Sequence, residues 1–134
     1  MRSPLPAVAA VVSFIDGINR ADIAQLASLM TDDHELLVFD EAPLEGRLAN
    51  IEAWKGYASS FPRYVIYPHQ LVSDGTHVVV LGHTTGSHLH LPDEQESALT
   101  LLWRATVSDG QLARWQLLED TPQRRAEFGL SADA

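Results

Sequence analysis

The chain has 134 residues, 46% of them hydrophobic, with 9 Lys+Arg against 18 Asp+Glu and a formal net charge of −9. Such a length and apolar share suit a single domain, expected over residues 1–134, and exclude a disordered chain. The acidic balance argues against nucleic acid or an anionic membrane as partner, since phosphate would be repelled, and the absence of cysteine excludes disulfides, thiolate zinc sites and a cysteine nucleophile.

Arg2 followed by AVAAVVSFI has a faint look of a secretory signal. Pro4 and Pro6 sit early in it, Asp16 closes it, and no clean small-residue cleavage site follows. The stretch is read instead as an amphipathic helix, Pro6 to Asn19, with Val8, Val11, Val12, Ile15 and Ile18 at helical spacing. No apolar run approaches the ~20 residues of a membrane span, and a cytoplasmic location is expected. Asp22 is placed to cap a second helix through Met30, with Ile23, Leu26, Leu29 and Met30 inward and Thr31-Asp32-Asp33 ending it. Glu35 to Asp40 predicts a short strand, broken at Ala42-Pro43 and resumed at Leu44-Glu45-Gly46. Asn50 is expected to cap a third helix running to Phe61 with Ile51, Trp54, Tyr57 and Ala58 on one face, and Pro62 stops it.

From Tyr64 the pattern is strand: one arm to Val72, a turn at Asp74-Gly75, and a second arm from Thr76 to Leu91, bent at Gly82 and Gly86. After a loop from Leu91 to Gln95 comes the longest signal, the hairpin Ala98 to Asp120. Leu99, Leu101, Trp103, Ala105 and Val107 alternate on one face of its first arm, Trp115, Leu117 and Glu119 on one face of its second, with Asp109-Gly110 between. Thr121 to Leu130 reads as a polar tail with room for a helical turn. Three helices against one antiparallel sheet make an α+β layer, and a sheet so long is expected to curve into a cone with a pocket beneath.

The stretches FIDGINRADIAQLASLMTDDHELLVFD, LEGRLANIEAWKGYASSFPRY, VVVLGHTTGSH and LWRATVSDGQLARWQLLED resemble the SnoaL-like branch of the nuclear transport factor 2-like superfamily over nearly the whole chain. The resemblance implies a cone-shaped, cystatin-like α+β fold, a buried pocket for an apolar small molecule and a homodimer through the outer sheet face. It is weak for activity, because the fold hosts isomerases, cyclases, epoxide hydrolases and non-catalytic modules. Ketosteroid isomerases of this fold place an aspartate base where Asp40 stands, but their oxyanion donors fall at Phe14 and Leu101, which cannot donate. Each such donor is worth roughly 3–4 kcal/mol, so that chemistry is disfavoured. The water-activating set of limonene epoxide hydrolases falls at Leu36, Val38, His83 to Thr85 and Leu117 and is absent. Gly86-Ser87-His88 resembles the Gly-Thr-His of polyketide cyclases, whose following acid has Glu94 or Glu96 as its nearest counterpart.

Candidate catalytic residues are therefore Asp40 as base with His88 or Glu119 as partner. Each has a plainer competing reading. Asp40 could cap a turn, Glu119 could be a solvated strand end, and His88 with His90 could be outer-sheet histidines without a third metal ligand. The expected pocket wall is Phe14, Leu36, Val38, Trp54, Tyr57, Leu101, Trp103, Trp115 and Leu117, side chains that would otherwise be plain core. Arg104 is read as an outer-face residue, Arg124 and Arg125 as solvated. No phosphate loop, Gly-x-Ser-x-Gly elbow or zinc motif occurs. The reading is a cofactor-free acid/base isomerase or cyclase acting on an apolar carbonyl compound, or a non-catalytic binding or dimerisation module of the same fold.

Overall fold

A computed structural model describes residues 6–130. The elements are α1 (Ala7–Asn19), α2 (Ile23–Ser28), β1 (Met30–Val38), β2 (Leu44–Glu45), α3 (Arg47–Ser60), β3 (Val65–Ser73), β4 (His77–Thr85), α4 (Asp93–Glu96), β5 (Leu101–Ser108), β6 (Gln111–Glu119) and α5 (Pro122–Glu127). The strands form one curved, unclosed sheet in the order β2-β1-β6-β5-β4-β3. The four long strands β3 to β6 are antiparallel neighbours, and β1 joins β6 in parallel.

The β5–β6 hairpin forms where the alternation predicted it. Asp109 and Gly110 take φ of 51° and 78°, the left-handed pair that matches the twist of two antiparallel strands. Trp103, Ala105, Val107, Leu112 and Trp115 enter one core with Val11, Phe14, Ile15 and Ile18 of α1 and Val78 and Val80 of β4. A register shift opposite Thr106 and Val107 turns both Leu112 and Trp115 inward although they stand three apart. On the other face, Val79, Leu81 and Leu102 form a smaller cluster with Leu130, flanked by Val72, Leu118 and Phe128.

The helices differ from expectation in informative ways. Val8 and Val12 are exposed, and Ala10, Val11 and Phe14 fill the inner face of α1. Asp22 does cap α2, accepting from the Gln25 N–H at 3.0 Å. However, α2 ends at Ser28, and Met30 and Thr31 to Asp33 begin β1, where Met30 pairs with Leu112. Asn50 is not the cap of α3. Gly46, at φ 99°, precedes the helix, and buried Asn50 sits in the first turn with its amide on the carbonyls of His34, Leu44 and Gly46. It thus ties α3 to the β1–β2 corner.

The tail is structured rather than solvated. Arg125 makes two contacts with Asp120 at 2.8 and 2.6 Å, the Arg104 guanidinium lies 5.5 Å from the Phe128 ring centre, and Leu130 is buried. Arg124 caps the hairpin end by donating to the Glu119 carbonyl at 2.8 Å. Leu99 precedes β5 and is exposed.

The expected second arm stops at Thr85, because Gly86 turns out of the strand at φ 69°. Gly82 stays within β4 opposite Pro68, where a register shift lets β3 approach it. A Cβ there would lie 2.3 Å from the Tyr67 carbonyl oxygen, a backbone atom that cannot swing aside. Gly82→Ala is expected to lower stability by about 2–3 kcal/mol, as overpacking does, measured by denaturant unfolding. An unchanged midpoint would show that β3 and β4 can separate there.

Candidate functional site

The β5–β6 hairpin lays Trp103 and Trp115 side by side, ring centres 6.4 Å apart and 21° from parallel. Alternation on β1 puts Leu36 and Val38 on the same side, and Leu117 of β6 joins them. Helix α3 crosses above with Ala53, Trp54 and Tyr57 at helical spacing. Between these layers lies a cavity of about 160 Å³ lined by Leu36, Val38, Ala53, Trp54, Tyr57, Tyr64, His88, Trp103, Trp115 and Leu117. Its polar groups are two phenols, one imidazole and three indoles; no Lys, Arg, Asp or Glu lines it.

One polar contact joins the two sides of the mouth. The Tyr57 hydroxyl lies 2.9 Å from His88 Nδ1 and accepts from the His88 backbone N–H at 3.2 Å. Since the hydroxyl oxygen accepts from the backbone, its single proton is free to donate to Nδ1. With the proton donated in that way, neutral His88 carries its ring hydrogen on Nε2; with the hydroxyl accepting from both N–H groups it would carry it on Nδ1. Tyr57 also packs edge-on against Tyr64 at 4.9 Å and Trp54 at 6.2 Å. Burial raises the Tyr57 pKa above its ordinary value of 10.0, partly opposed by the His88 hydrogen bond, with the charge of Glu96 adding to the rise. Tyr64 is pushed higher still, first by burial and then by Tyr57 and Glu96. Both phenols are therefore hydrogen-bond donors at neutral pH.

His88 is on the loop after β4, not on a strand. Of its companions by sequence, His90 shares with it the Phe61 ring, 6.1 Å from His88, and His83 lies elsewhere. His90 takes φ 56° and lies against Phe61, 5.7 Å between ring centres. His83 points to the opposite sheet face, stacked on Tyr67 at 4.7 Å and 2.6 Å from His69 Nε2 through its Nδ1. Among the described residues no group of three His, Cys, Asp or Glu could hold a metal ion.

Asp40 and Glu119 do not reach the cavity. Leu36 and Val38 line it, so a continued β1 would have brought Asp40 to the same side. The strand ends at Val38, Phe39 turns left-handed at φ 51°, and Asp40 stands exposed in the turn. Glu119 has the inward parity of Trp115 and Leu117 but is exposed at the end of β6. Of the expected wall, Phe14 and Leu101 are not at the cavity surface. Phe14 is fully buried and braces the wall from behind, 5.2 Å from Trp115 and 6.4 Å from Trp54. Ala53, Tyr64 and His88 are additions to the expected wall. Ala53 follows from its place one residue before Trp54 on α3, whereas Tyr64 carries no local signal.

His34, beside Phe14 at 5.9 Å, also escaped the sequence reading. It is fully buried, donates from Nδ1 to the Leu112 carbonyl at 2.6 Å, and its Nε2 has no partner. Burial lowers its pKa below 6.5, against smaller raising effects of the Leu112 carbonyl, Asp33 and Glu35. The unfolded chain therefore takes up this proton first as pH falls, so stability is retained above about pH 6.5 and lost below it. His83, also lowered by burial and by His69, acts in the same direction from a more exposed position. The melting temperature is expected to fall between about pH 6.5 and 5, before carboxylate titration begins. His34→Gln is expected to flatten that slope; a slope unaltered in the variant would assign it elsewhere.

The sequence profile of the SnoaL-like domain matches residues 11–115. Similar solved structures include a candidate polyketide cyclase from Sinorhizobium meliloti, 25% identical with a TM-score of 0.67, covering 84% of this chain and 94% of that one. TerC, co-crystallised with polyporic acid, is 20% identical with a TM-score of 0.70 and coverages of 92% and 98%. SalBIII, an epoxide hydrolase/cyclase-like enzyme of pyran ring formation in salinomycin, is 16% identical with a TM-score of 0.67 and coverages of 85% and 90%. No curated protein matches the chain in sequence. The chain belongs to the SnoaL-like domain family, and the neighbours below 25% identity show its fold.

Proposed function

For this member of the SnoaL-like family, we propose cofactor-free acid/base chemistry on a neutral, apolar, carbonyl-bearing small molecule, of the isomerase or cyclase type. The observation that carries it is the Tyr57–His88 pair at the edge of an otherwise apolar cavity. The cavity volume, about 160 Å³, is close to the ~150 Å³ that holds one benzene ring, so one ring fits between α3 and the two tryptophans. The wall offers no cation for a carboxylate or phosphate, and the net charge of −9 repels anions, which together favour an uncharged substrate.

In this reading His88 is the acid/base residue. Its Nε2–H donates a hydrogen bond to the substrate carbonyl oxygen and polarises the carbonyl, the proton staying on the ring. Tyr57 holds the tautomer and the ring plane. Asp40 and Glu119 are not carried into the mechanism, because both stand outside the cavity wall. The homodimer and the cytoplasmic location implied at first reading remain part of the proposal. Tyr67, 42% exposed on the outer sheet face, belongs to the surface a second copy would cover, and sedimentation of Tyr67→Glu tests that.

The absence of any carboxylate from the wall favours a second reading, a binding module without turnover. A thermal-shift panel of monocyclic ketones, phenols and lactones separates the two. A ligand at 100 times its Kd stabilises the fold by about 2.7 kcal/mol. For a compound that is turned over, His88→Gln is expected to lower kcat about 10²-fold or more. Tyr57→Phe is expected to lower it roughly fivefold, the worth of one hydrogen bond of about 1 kcal/mol. Turnover unaffected by His88→Gln would refute the assignment, and binding without any turnover would leave the module.

A further inference from the structure

Glu96 is the C-terminal residue of α4, 1% exposed, and among the described residues it has no ion-pair partner. Its Oε2 accepts from the Thr84 hydroxyl, and its Oε1 from the Ser87 backbone N–H at 3.3 Å. A buried carboxyl group matched only by two neutral donors is a poor stability element, because burial costs it solvation that no cation returns. Both donors belong to the segment that leads into His88, one at the end of β4 and one directly before the histidine.

The rest of that segment is fastened in the same way. Gly86, at φ 69°, brings its Cα so close to Arg63 that a Cβ would lie 2.3 Å from the Arg63 carbonyl oxygen. The Ser87 hydroxyl accepts from the Leu89 N–H, and the Ser87 carbonyl from the His90 N–H, both at 3.2 Å. The His88 side chain itself is exposed, so its orientation depends on the backbone beneath it, on Tyr57 and on the Phe61 ring, 6.1 Å away edge-on.

We propose that Glu96 is a positioning residue for His88: by holding Ser87 N–H and Thr84 Oγ1 it fixes the loop at the height where His88 meets the Tyr57 hydroxyl from both its backbone N–H and Nδ1. This rests on the reading of His88 as the acid/base residue. It adds a third group, eight residues further along the chain and outside the cavity wall, on which the histidine's tautomer depends.

The test reads His88 directly and needs no substrate. Long-range proton–nitrogen correlation spectra distinguish a ring nitrogen carrying hydrogen from one bearing a lone pair. They are recorded at about pH 8, above the ~6.5 reference of histidine. The wild-type protein is expected to show His88 as a single Nε2–H tautomer, with His77 as the internal control. In Glu96→Ala that signature is expected to collapse to a mixture while His77 is unaltered. Glu96→Gln is expected to restore it, since its carbonyl can accept from Ser87 and its amide donate to Thr84 Oγ1. A folded Glu96→Ala with the wild-type His88 spectrum, or a Glu96→Gln that fails to restore it, would overturn the proposal. Should Glu96→Ala not fold, Thr84→Val decides: a partial loss of the single tautomer supports the role and an unchanged spectrum contradicts it. Because no ligand enters this measurement, a failure of catalysis by His88 shows itself separately, in the turnover of His88→Gln.

Discussion

The stacked pair Trp103 and Trp115, carried on facing arms of one hairpin, is the constraint on which the site depends. Their rings lie on β5 and β6, in the interior of the sheet, and face α1 and α3. Phe14 packs against Trp115 from one side and, with Trp54, sets the height of α3. What is left between is a space of one-ring size. Aromatic pairs at such separations gain from area burial as well as ring electrostatics, so the same contact that stabilises the core also shapes the cavity.

The hydrogen-bonded polar pair of this apolar region sits at its rim. Tyr57 comes from a helix and His88 from a loop, and neither is held by charge. Buried phenols beside a carboxyl group keep their protons, and a phenol that keeps its proton can assign the tautomer of the imidazole it faces. The loop that delivers His88 is in turn tied to Arg63 by the close approach of Gly86 and to Glu96 by hydrogen bonds. The site is thus an apolar slot with a hydrogen-bonded Tyr57–His88 pair at its edge, an arrangement compatible with several chemistries of the SnoaL-like fold.

Much of the fold was legible because its signals are local. Alternation across the last hairpin, Asp109-Gly110 at its turn and Asp22 before α2 each name an element and a face. The failures have physical causes that no local pattern carries. Asn50 looks like a cap but spends its amide on three carbonyls of the β1–β2 corner. Asp40 has the right parity with Leu36 and Val38, and one left-handed residue, Phe39, removes it from the wall. His88, singled out by its Gly-Ser-His setting, lies at the cavity, yet its strand had already ended. Tyr64 shares the cavity wall with Trp103 and Trp115, far along the chain, and Glu96, named from the sequence only as a nearest acid, is turned onto Thr84 and Ser87 by the fold.

The most direct measurement of the central claim is a crystal structure with a monocyclic ketone selected by thermal shift. The account requires the ring between α3 and the Trp103–Trp115 pair, with the carbonyl oxygen within hydrogen-bond distance of His88 Nε2 and the Tyr57–His88 contact intact. A ketone bound on the outer sheet face, or one seated in the cavity with its oxygen turned away from His88, would contradict it.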